Sequence, residues 1–360
     1  MRHIVHVSDA RGWRGGENQT FLLIAGLVSI GRQCTLVAET ESPLAHACAR
    51  AGCAVLPVRF RGAGLAGALA RIRRVCRPGA ADIVHAHTAR AHSLVALSRI
   101  ACCAAPPLIV TRRNCFQARS GPVSKAKYQS ADHIIAISTP ISRQLVDRGV
   151  SQDRISIIPS GIDVNTFDGV APLSRDELRI PGHVTVIGTI AALTREKGHE
   201  TLLLAASRLK RSAQDIHVLI VGDGPRAAAL RDHSRELGLT SCTTFTGHRT
   251  DIERIFPLLD ICVLPSHTEG LGTVILDALL AGIPVVASRV GGIPDIITDG
   301  RNGLLFDDGD SEGLADRLTA LRNDEAMRSR LIAAGRATVK AFDIRTTVAR
   351  TASLYQAVCT

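Results

Sequence analysis

Residues 261–290 read ICVLPSHTEGLGTVILDALLAGIPVVASRV, and the periodicity of this stretch decides the fold. A β-branched run over 261–264 predicts a strand, and 265–272 is a polar loop containing glycine. An apolar helix is expected over 273–281, stopped by Gly282, before a second strand over 285–287. Two strands joined through a helix pair as parallel neighbours, because a hairpin turn cannot make that connection. The same alternation continues outward from this stretch. Strands are predicted over 3–7, 34–38, 83–87, 108–111, 133–137 and 155–158, with helices over 19–30, 64–76, 92–101 and 141–148. After the turn-rich segment 159–172, PSGIDVNTFDGVAP, the pattern restarts. Strands follow over 184–189, 217–221, 242–246 and 303–305, with helices over 199–211 and 226–237. The fold class is therefore α/β, with two doubly wound, Rossmann-like parallel-sheet domains. The boundaries are placed at 1–168 and 169–344, and the last helix, about 345–360, is expected to pack back on the first domain. Ligands of such sheets sit at the carboxyl ends of the strands, so a cleft faced by both domains is expected.

Composition narrows the class. Of 360 residues 46% are hydrophobic and 21% charged, as in folded α/β proteins, but only 3% are aromatic, so Leu, Ile, Val and Ala must fill the cores. The most apolar long stretch, 94–110, is broken by Arg99, Pro106 and Pro107, which excludes a membrane-spanning helix there. The opening MRHIVHVSDARG lacks the apolar centre of a signal peptide, so a cytoplasmic location is expected. The ten cysteines contain no C-x-x-C pair. Cys102 and Cys103 adjoin, while Cys34, Cys53, Cys76 and Cys262 sit singly in apolar surroundings, as small buried hydrophobes do.

Charge is unevenly divided. Residues 1–170 hold 21 Lys+Arg and 10 Asp+Glu (+11), whereas 171–360 hold 22 and 23 (−1), which together give the net +10. Between Arg50 and Ser130 there are 14 basic residues and a single acid, Asp82. A field of one sign favours an anionic partner such as a membrane surface or a phosphorylated glycolipid. An arginine-rich coding bias would give the same count. No nucleic-acid partner is expected.

In the loop at 265–272, Gly270 and Gly272 allow close approach of a ligand, and the amides of Leu271, Gly272 and Thr273 open a helix where an anion would be stabilised. An ordinary tight βα loop would use the same glycines. Two acids tip the reading: Glu269 precedes the helix, and Asp277 lies one turn in, on the face of Thr273. Carboxylates beside an anion site suit a sugar nucleotide, since they accept paired hydrogen bonds from vicinal hydroxyls. Two other patterns are set aside. The GDG at 222–224 has Ala227 where a dinucleotide fingerprint needs a third glycine. Asp308-Gly309-Asp310 has the form of a metal-binding D-x-D but lies in a polar loop beyond the sheet. No metal site is predicted.

The stretch SHTEGLGTVILDALLAGIPVVAS, followed by VGGIPDIITDGRNGLLF, resembles the donor site of glycosyltransferase family 4, retaining enzymes of GT-B fold. WRGGENQTFLLIAGL, DIVHAHTARAHS, IIAISTPISRQL, IIPSGIDVNTF, IGTIAALTREKGHETLLLAA, VGDGP and FTGH extend the likeness along nearly the whole chain. The resemblance implies that Glu269 contacts the donor sugar and that Asp277, where the family has Glu, accepts from the ribose diol. It implies that Lys197 stabilises the diphosphate, with Ala192 at the family's arginine position and Arg195 as the substitute. Gly15 and Gly16 would approach the diphosphate, with Arg14 beside the acceptor. Gly222 and Gly224 would flank the base. His87 would lie near the donor sugar, His85 in the core, and Arg112 and Arg113 would meet an anionic acceptor. The implied reaction moves sugar from a UDP- or GDP-type donor, as co-substrate, to a glycan or lipid-linked acceptor of the cell surface, as in lipopolysaccharide-core synthesis. Neither cofactor nor metal is implied, and the site of action would be the inner face of the cytoplasmic membrane. The alternatives are a sugar-nucleotide epimerase or hydrolase on the same fold, and a non-catalytic sugar-nucleotide-binding protein.

Overall fold

A computed structural model describes residues 3–100, 102, 104–115, 121–212 and 214–359. The chain divides into two compact units, Met1–Gly161 with Ile344–Thr360, and Ile162–Asp343. The change of unit thus falls inside the turn-rich segment, between Gly161 and Ile162. Among the described residues no helix is long and apolar enough to cross a membrane.

The first unit is a seven-stranded sheet of β1 (His3–Ser8), β2 (Gln33–Glu39), β3 (Ala54–Val58), β4 (Ile83–Ala86), β5 (Leu108–Arg112), β6 (His133–Ala136) and β7 (Ile155–Ile157). Their spatial order is β3-β2-β1-β4-β5-β6-β7, and every pairing is parallel. The connecting helices are α1 (Gly15–Ser29), α2 (Pro43–Arg50), α3 (Leu65–Val75), α4 (Ala89–Arg99), α5 (Pro122–Gln129) and α6 (Thr139–Val146). α4 starts earlier than the periodicity suggests because Thr88 caps it, its hydroxyl accepting from the Ala91 amide at 3.2 Å. Residue 101, the expected end of that helix, and Cys103 lie outside the described residues. The strand order reverses between β1 and β4, so the loops after these two strands run to opposite sides at their carboxyl ends.

The second unit holds β8 (Thr185–Ile190), β9 (Ile216–Val221), β10 (Thr243–Gly247), β11 (Ile261–Leu264), β12 (Val285–Ser288) and β13 (Leu304–Phe306) in the order β10-β9-β8-β11-β12-β13. Its helices are α7 (His199–Arg211), α8 (Ala227–Glu236), α9 (Ile252–Ile255), α10 (Thr273–Leu280), α11 (Ser311–Asn323) and α12 (Glu325–Val339). Here the reversal falls between β8 and β11. The core is aliphatic: Ile187, Val218, Val263 and Val286 of the sheet pack against Leu202 and Leu209 of α7 and Leu314 and Leu318 of α11.

α13 (Ile344–Cys359) returns to the first unit. Tyr355, fully buried, joins the core formed by Ile4, Leu36 and Ile83 with Ile24 and Leu27 of α1. Gly26 permits this approach, since a Cβ there would overlap Val348 of α13. The Tyr355 hydroxyl also meets Nδ1 of the buried His85 at 2.5 Å, whose Nε2 meets the Thr111 hydroxyl at 2.7 Å.

Candidate functional site

In the second unit, Lys197 and Glu269 come from the two loops that part at the β8/β11 reversal. Lys197 ends a 3₁₀ turn, Arg195–Lys197, after β8, and Glu269 follows β11. Nζ of Lys197 stands 2.5 Å from Oε2 of Glu269, with the two side chains 24% and 14% exposed. The Ser266 hydroxyl donates to the same oxygen at 3.3 Å, and the Gly270 amide donates to Oε1 at 3.2 Å. The loops are also tied through backbone, the His267 amide donating to the Glu196 carbonyl at 2.8 Å. Gly198 must be glycine there: its φ is +61°, and a Cβ would overlap the Pro265 carbonyl oxygen. Behind Glu269, Gly291 (φ +51°) takes the same part against the Glu269 carbonyl, which accepts from the Gly292 amide at 3.2 Å. These two glycines were quoted above only as part of a motif, and their role in clamping Glu269 depends on a contact across the fold.

α10 starts at Thr273 after Gly272 (φ +86°), and no side chain caps it. No side chain therefore takes up the first-turn amides, of which that of Ile275 donates to the Gly272 carbonyl at 2.9 Å, and the Glu269 side chain lies against Gly272. Leu271 turns its side chain into the core. Asp277 is half-buried on α10, and no hydrogen bond or ion pair to its carboxylate is found among the described residues. Burial raises its pKa from 3.8 to about 7. Arg195 is exposed and Ala192 half-buried.

Gly222 and Gly224 have a different local explanation. A Cβ on Gly222 would overlap the Ala191 carbonyl, and one on Gly224 would press on the Leu193 backbone. The Leu193 amide donates to the Asp223 carbonyl, and the Arg226 amide to that of Leu193, each at 3.0 Å. Backbone packing of the loops after β8 and β9 is enough to require both glycines. Both acids of the 308–310 loop are engaged: Asp308 meets Nδ1 of His267 at 2.6 Å, and Asp310 caps α11 by accepting from the Glu312 and Gly313 amides.

In the first unit, Gly15 and Gly16 form the first turn of α1 after the exposed Arg14. Neither has a positive φ. A Cβ on Gly15 would meet nothing within 4 Å, and one on Gly16 only Cδ of Arg113 at 3.8 Å. Packing does not demand these glycines, and the space over them is open. His87 follows β4 and is buried, with Nε2 2.9 Å from Nδ1 of His6 and Nδ1 3.4 Å from a guanidinium nitrogen of Arg113. A guanidinium can only donate, so Nδ1 of His87 accepts, Nε2–H donates, and Nδ1 of His6 accepts in turn. Burial pushes the His6 pKa down to about 3 and those of His85 and His87 well below 6.5. Both His87 nitrogens are thus occupied within the unit. Arg113 is lowered by burial to about 10 and remains charged at neutral pH. Arg112 donates to the Cys115 carbonyl at 3.4 Å.

His6, His85 and His87 are also the one trio found among the described residues with ligand atoms close enough to hold a metal ion, within 4.8 Å. The chemistry opposes it. Every ring nitrogen except Nε2 of His6 has a hydrogen-bond partner, and Arg113 adds a positive charge beside them.

Two doubly wound parallel units, each with its own strand-order reversal, have the architecture of the GT-B fold class. Residues 13–166 match the Glycosyltransferase Family 4 domain and residues 171–338 that of glycosyl transferases group 1. The chain belongs to this glycosyltransferase family. A D-inositol 3-phosphate glycosyltransferase of Corynebacterium kroppenstedtii is 34% identical over 190 residues, 49% of this chain and 42% of that protein. The lipopolysaccharide core biosynthesis glycosyltransferase LpsE of Rhizobium meliloti is 28% identical over 61% of this chain and 62% of its own length. The chain thus spans about half the length of the inositol-phosphate relatives it matches. HepE of Anabaena, solved with UDP and glucose, superposes with a TM-score of 0.86 at 21% identity, covering 99% of this chain and 100% of that one. The outer-core galactosyltransferase WaaB, in its apo form, gives 0.77 at 18% identity over 99% and 100%. At these identities the structures establish the fold.

Proposed function

We propose that the protein is a retaining glycosyltransferase that moves a sugar from a UDP- or GDP-type donor to a glycan or lipid-linked acceptor in cell-surface polysaccharide synthesis. The observation that carries this reading is the Lys197–Glu269 pair beside the uncapped start of α10. Lys197 and the α10 amides would take the charge that grows on the departing diphosphate. Arg195, exposed next to them, is the available replacement for the arginine that Ala192 lacks. Asp277, for which no partner is found among the described residues, would accept from the ribose diol. The acceptor hydroxyl attacks the anomeric carbon on the face from which the diphosphate leaves. The new C–O bond forms as the old one breaks, and the hydroxyl proton passes to the leaving phosphate oxygen. No side-chain base is then needed, which suits a His87 whose nitrogens are both occupied. His87 would instead orient Arg113, whose remaining N–H groups are left for an anion.

HepE bound to UDP and glucose supports a UDP-type donor, and the inositol-phosphate and lipopolysaccharide-core relatives support a phosphorylated or lipid-linked acceptor. The basic first half supports action at the inner face of the cytoplasmic membrane. No metal takes part in this reading, in which Asp308 serves His267 and Asp310 caps α11. Radiolabelled nucleoside-diphosphate sugars incubated with membrane extract test it: label in the glycan or lipid fraction, unaffected by EDTA, is expected. Release of free or epimerised sugar alone, or nucleotide binding without turnover, would overturn the proposal.

A further inference from the structure

The protein has one tryptophan, Trp13, and among the described residues it is the only exposed aromatic side chain, 38% open to solvent. Other large rings are withdrawn: Phe60, Tyr128, Phe256 and Tyr355 are buried. In a chain that is only 3% aromatic, the largest apolar ring thus stands on a surface loop while the cores are filled with aliphatic residues. That loop, residues 9–14, leaves the carboxyl end of β1 and enters α1. It lies at the strand-order reversal of the first unit, where doubly wound sheets take their ligands.

The loop is tied along its length. Asp9 accepts from the Thr88 hydroxyl at 2.6 Å and lies 3.5 Å from Arg90. Arg11 lies 3.7 Å from Glu39, whose other carboxylate oxygen accepts from the Phe60 amide at 3.0 Å. The Arg14 amide donates to the Glu17 carboxylate at 2.9 Å. The indole itself rests on Phe21 of α1, with ring centres 6.0 Å apart and planes tilted by 53°. Phe21 packs in turn against the core that α1 shares with α13. An aromatic ring held in this way has little freedom left to lose when a ligand lies on it. Just beyond it, Gly15 leaves the space over the first turn of α1 open.

A pyranose ring suits this arrangement. Its axial C–H groups form an apolar face with a slight positive charge, which lies well on the negative face of an indole. Its hydroxyls leave around the rim, where the exposed Arg14 and the half-exposed Arg90 offer planar sets of donors. A small anion would use the arginines and leave the indole idle. A nucleobase would use the indole, but the Lys197–Glu269 pair assigned above to the donor diphosphate belongs to the other unit. We propose that Trp13 is the platform on which a pyranose ring of the acceptor stacks, so that the acceptor is a glycan presenting the apolar face of a sugar. The proposal rests on the transferase reading above and narrows its acceptor.

Because Trp13 is the sole tryptophan, its fluorescence in the full chain reports on this spot without any assay of transfer. Core oligosaccharide released from lipopolysaccharide by mild acid should shift the emission saturably to shorter wavelength and reduce quenching by acrylamide. Glycerol 3-phosphate, an anion without a ring, should do neither. The proposal is overturned if the oligosaccharide has no effect. It is also overturned if glycerol 3-phosphate, UDP alone or phosphatidylglycerol vesicles have as large an effect. In transfer to the same oligosaccharide, Trp13→Ala should raise the acceptor KM by about five- to tenfold and leave kcat within about twofold. Trp13→Phe, which keeps a smaller ring, should recover most of that loss. An unchanged acceptor KM in Trp13→Ala, or no recovery in Trp13→Phe, counts against the platform. Saturable protection of Trp13 without any transfer would end the transferase reading and leave the sugar platform standing.

Discussion

Nζ of Lys197 touches Oε2 of Glu269 across the reversal between β8 and β11, at 2.5 Å, with both side chains largely withdrawn from solvent. A partly buried pair is held less by net attraction than by what each partner would suffer if left alone. Lys197→Met or Glu269→Gln should therefore each destabilise the protein by about 1–3 kcal/mol. The double variant should regain most of that stability. Activity should behave differently, falling by about 10²-fold or more in all three, because the donor needs both charges. Denaturant unfolding and initial rates of transfer measure the two effects. A double variant that regained activity along with stability would show the pair to be scaffolding.

Asp277 makes the second unit sensitive to pH in an uncommon direction. Its folded pKa of about 7 lies above the unfolded value, so the folded state holds the proton more tightly between roughly pH 4 and 7. The contribution is fully present below pH 4 and is lost as pH rises through 7. Asp277→Asn should match the unaltered protein at pH 4 and exceed its stability at pH 8 by about 1–3 kcal/mol. Parallel stability profiles in denaturant at the two pH values would contradict this assignment.

The histidines of the first unit act in the opposite sense. His6 and His87 are neutral when folded, with pKa values depressed chiefly by burial, so acid favours the unfolded chain as pH falls below 6.5. Between pH 5 and 8, nitrogen-15 NMR of the imidazoles should show His87 fixed as the Nε2–H tautomer without titrating. A midpoint inside that range would mean that the Arg113 contact does not persist in solution.

Two glycine substitutions should separate packing from binding. At Gly198 a Cβ has no room and φ is +61°, so Gly198→Ala should cost several kcal/mol. At Gly15 nothing lies within 4 Å, so Gly15→Ala should leave stability within about 0.5 kcal/mol. Donor KM should nevertheless rise, because the new methyl group would occupy open space above the first turn of α1. An unchanged KM would remove Gly15 from the donor site.

Much of the fold was legible because β-branched runs alternate with amphipathic segments, and 261–290 alone shows a parallel βαβ unit. β3 escaped because Pro57 interrupts it, which is tolerable only because β3 is an edge strand. α2 escaped because it is short and starts from a Ser42 cap and Pro43 rather than from an apolar stripe. The site was legible as residue types but not as contacts. Lys197 and Glu269 become neighbours only because β11 inserts beside β8, and Arg113 reaches His87 only because β5 lies beside β4. The same blindness hid that the backbone of residues 191–193 by itself requires glycine at 222 and 224.

α13 has one further consequence, for the order of synthesis. The first unit needs Tyr355 in its core and against His85, yet Ile344–Cys359 leaves the ribosome only after the entire second unit has been made. The amino-terminal unit must wait, with a gap along α1 and a buried His85 whose Nδ1 lacks the Tyr355 hydroxyl, while the later-made unit is already free to fold. A chain released early by a truncated message would thus hold a finished second unit beside an unfinished first one. Such a product would expose the apolar flank of α1 to chaperones and proteases.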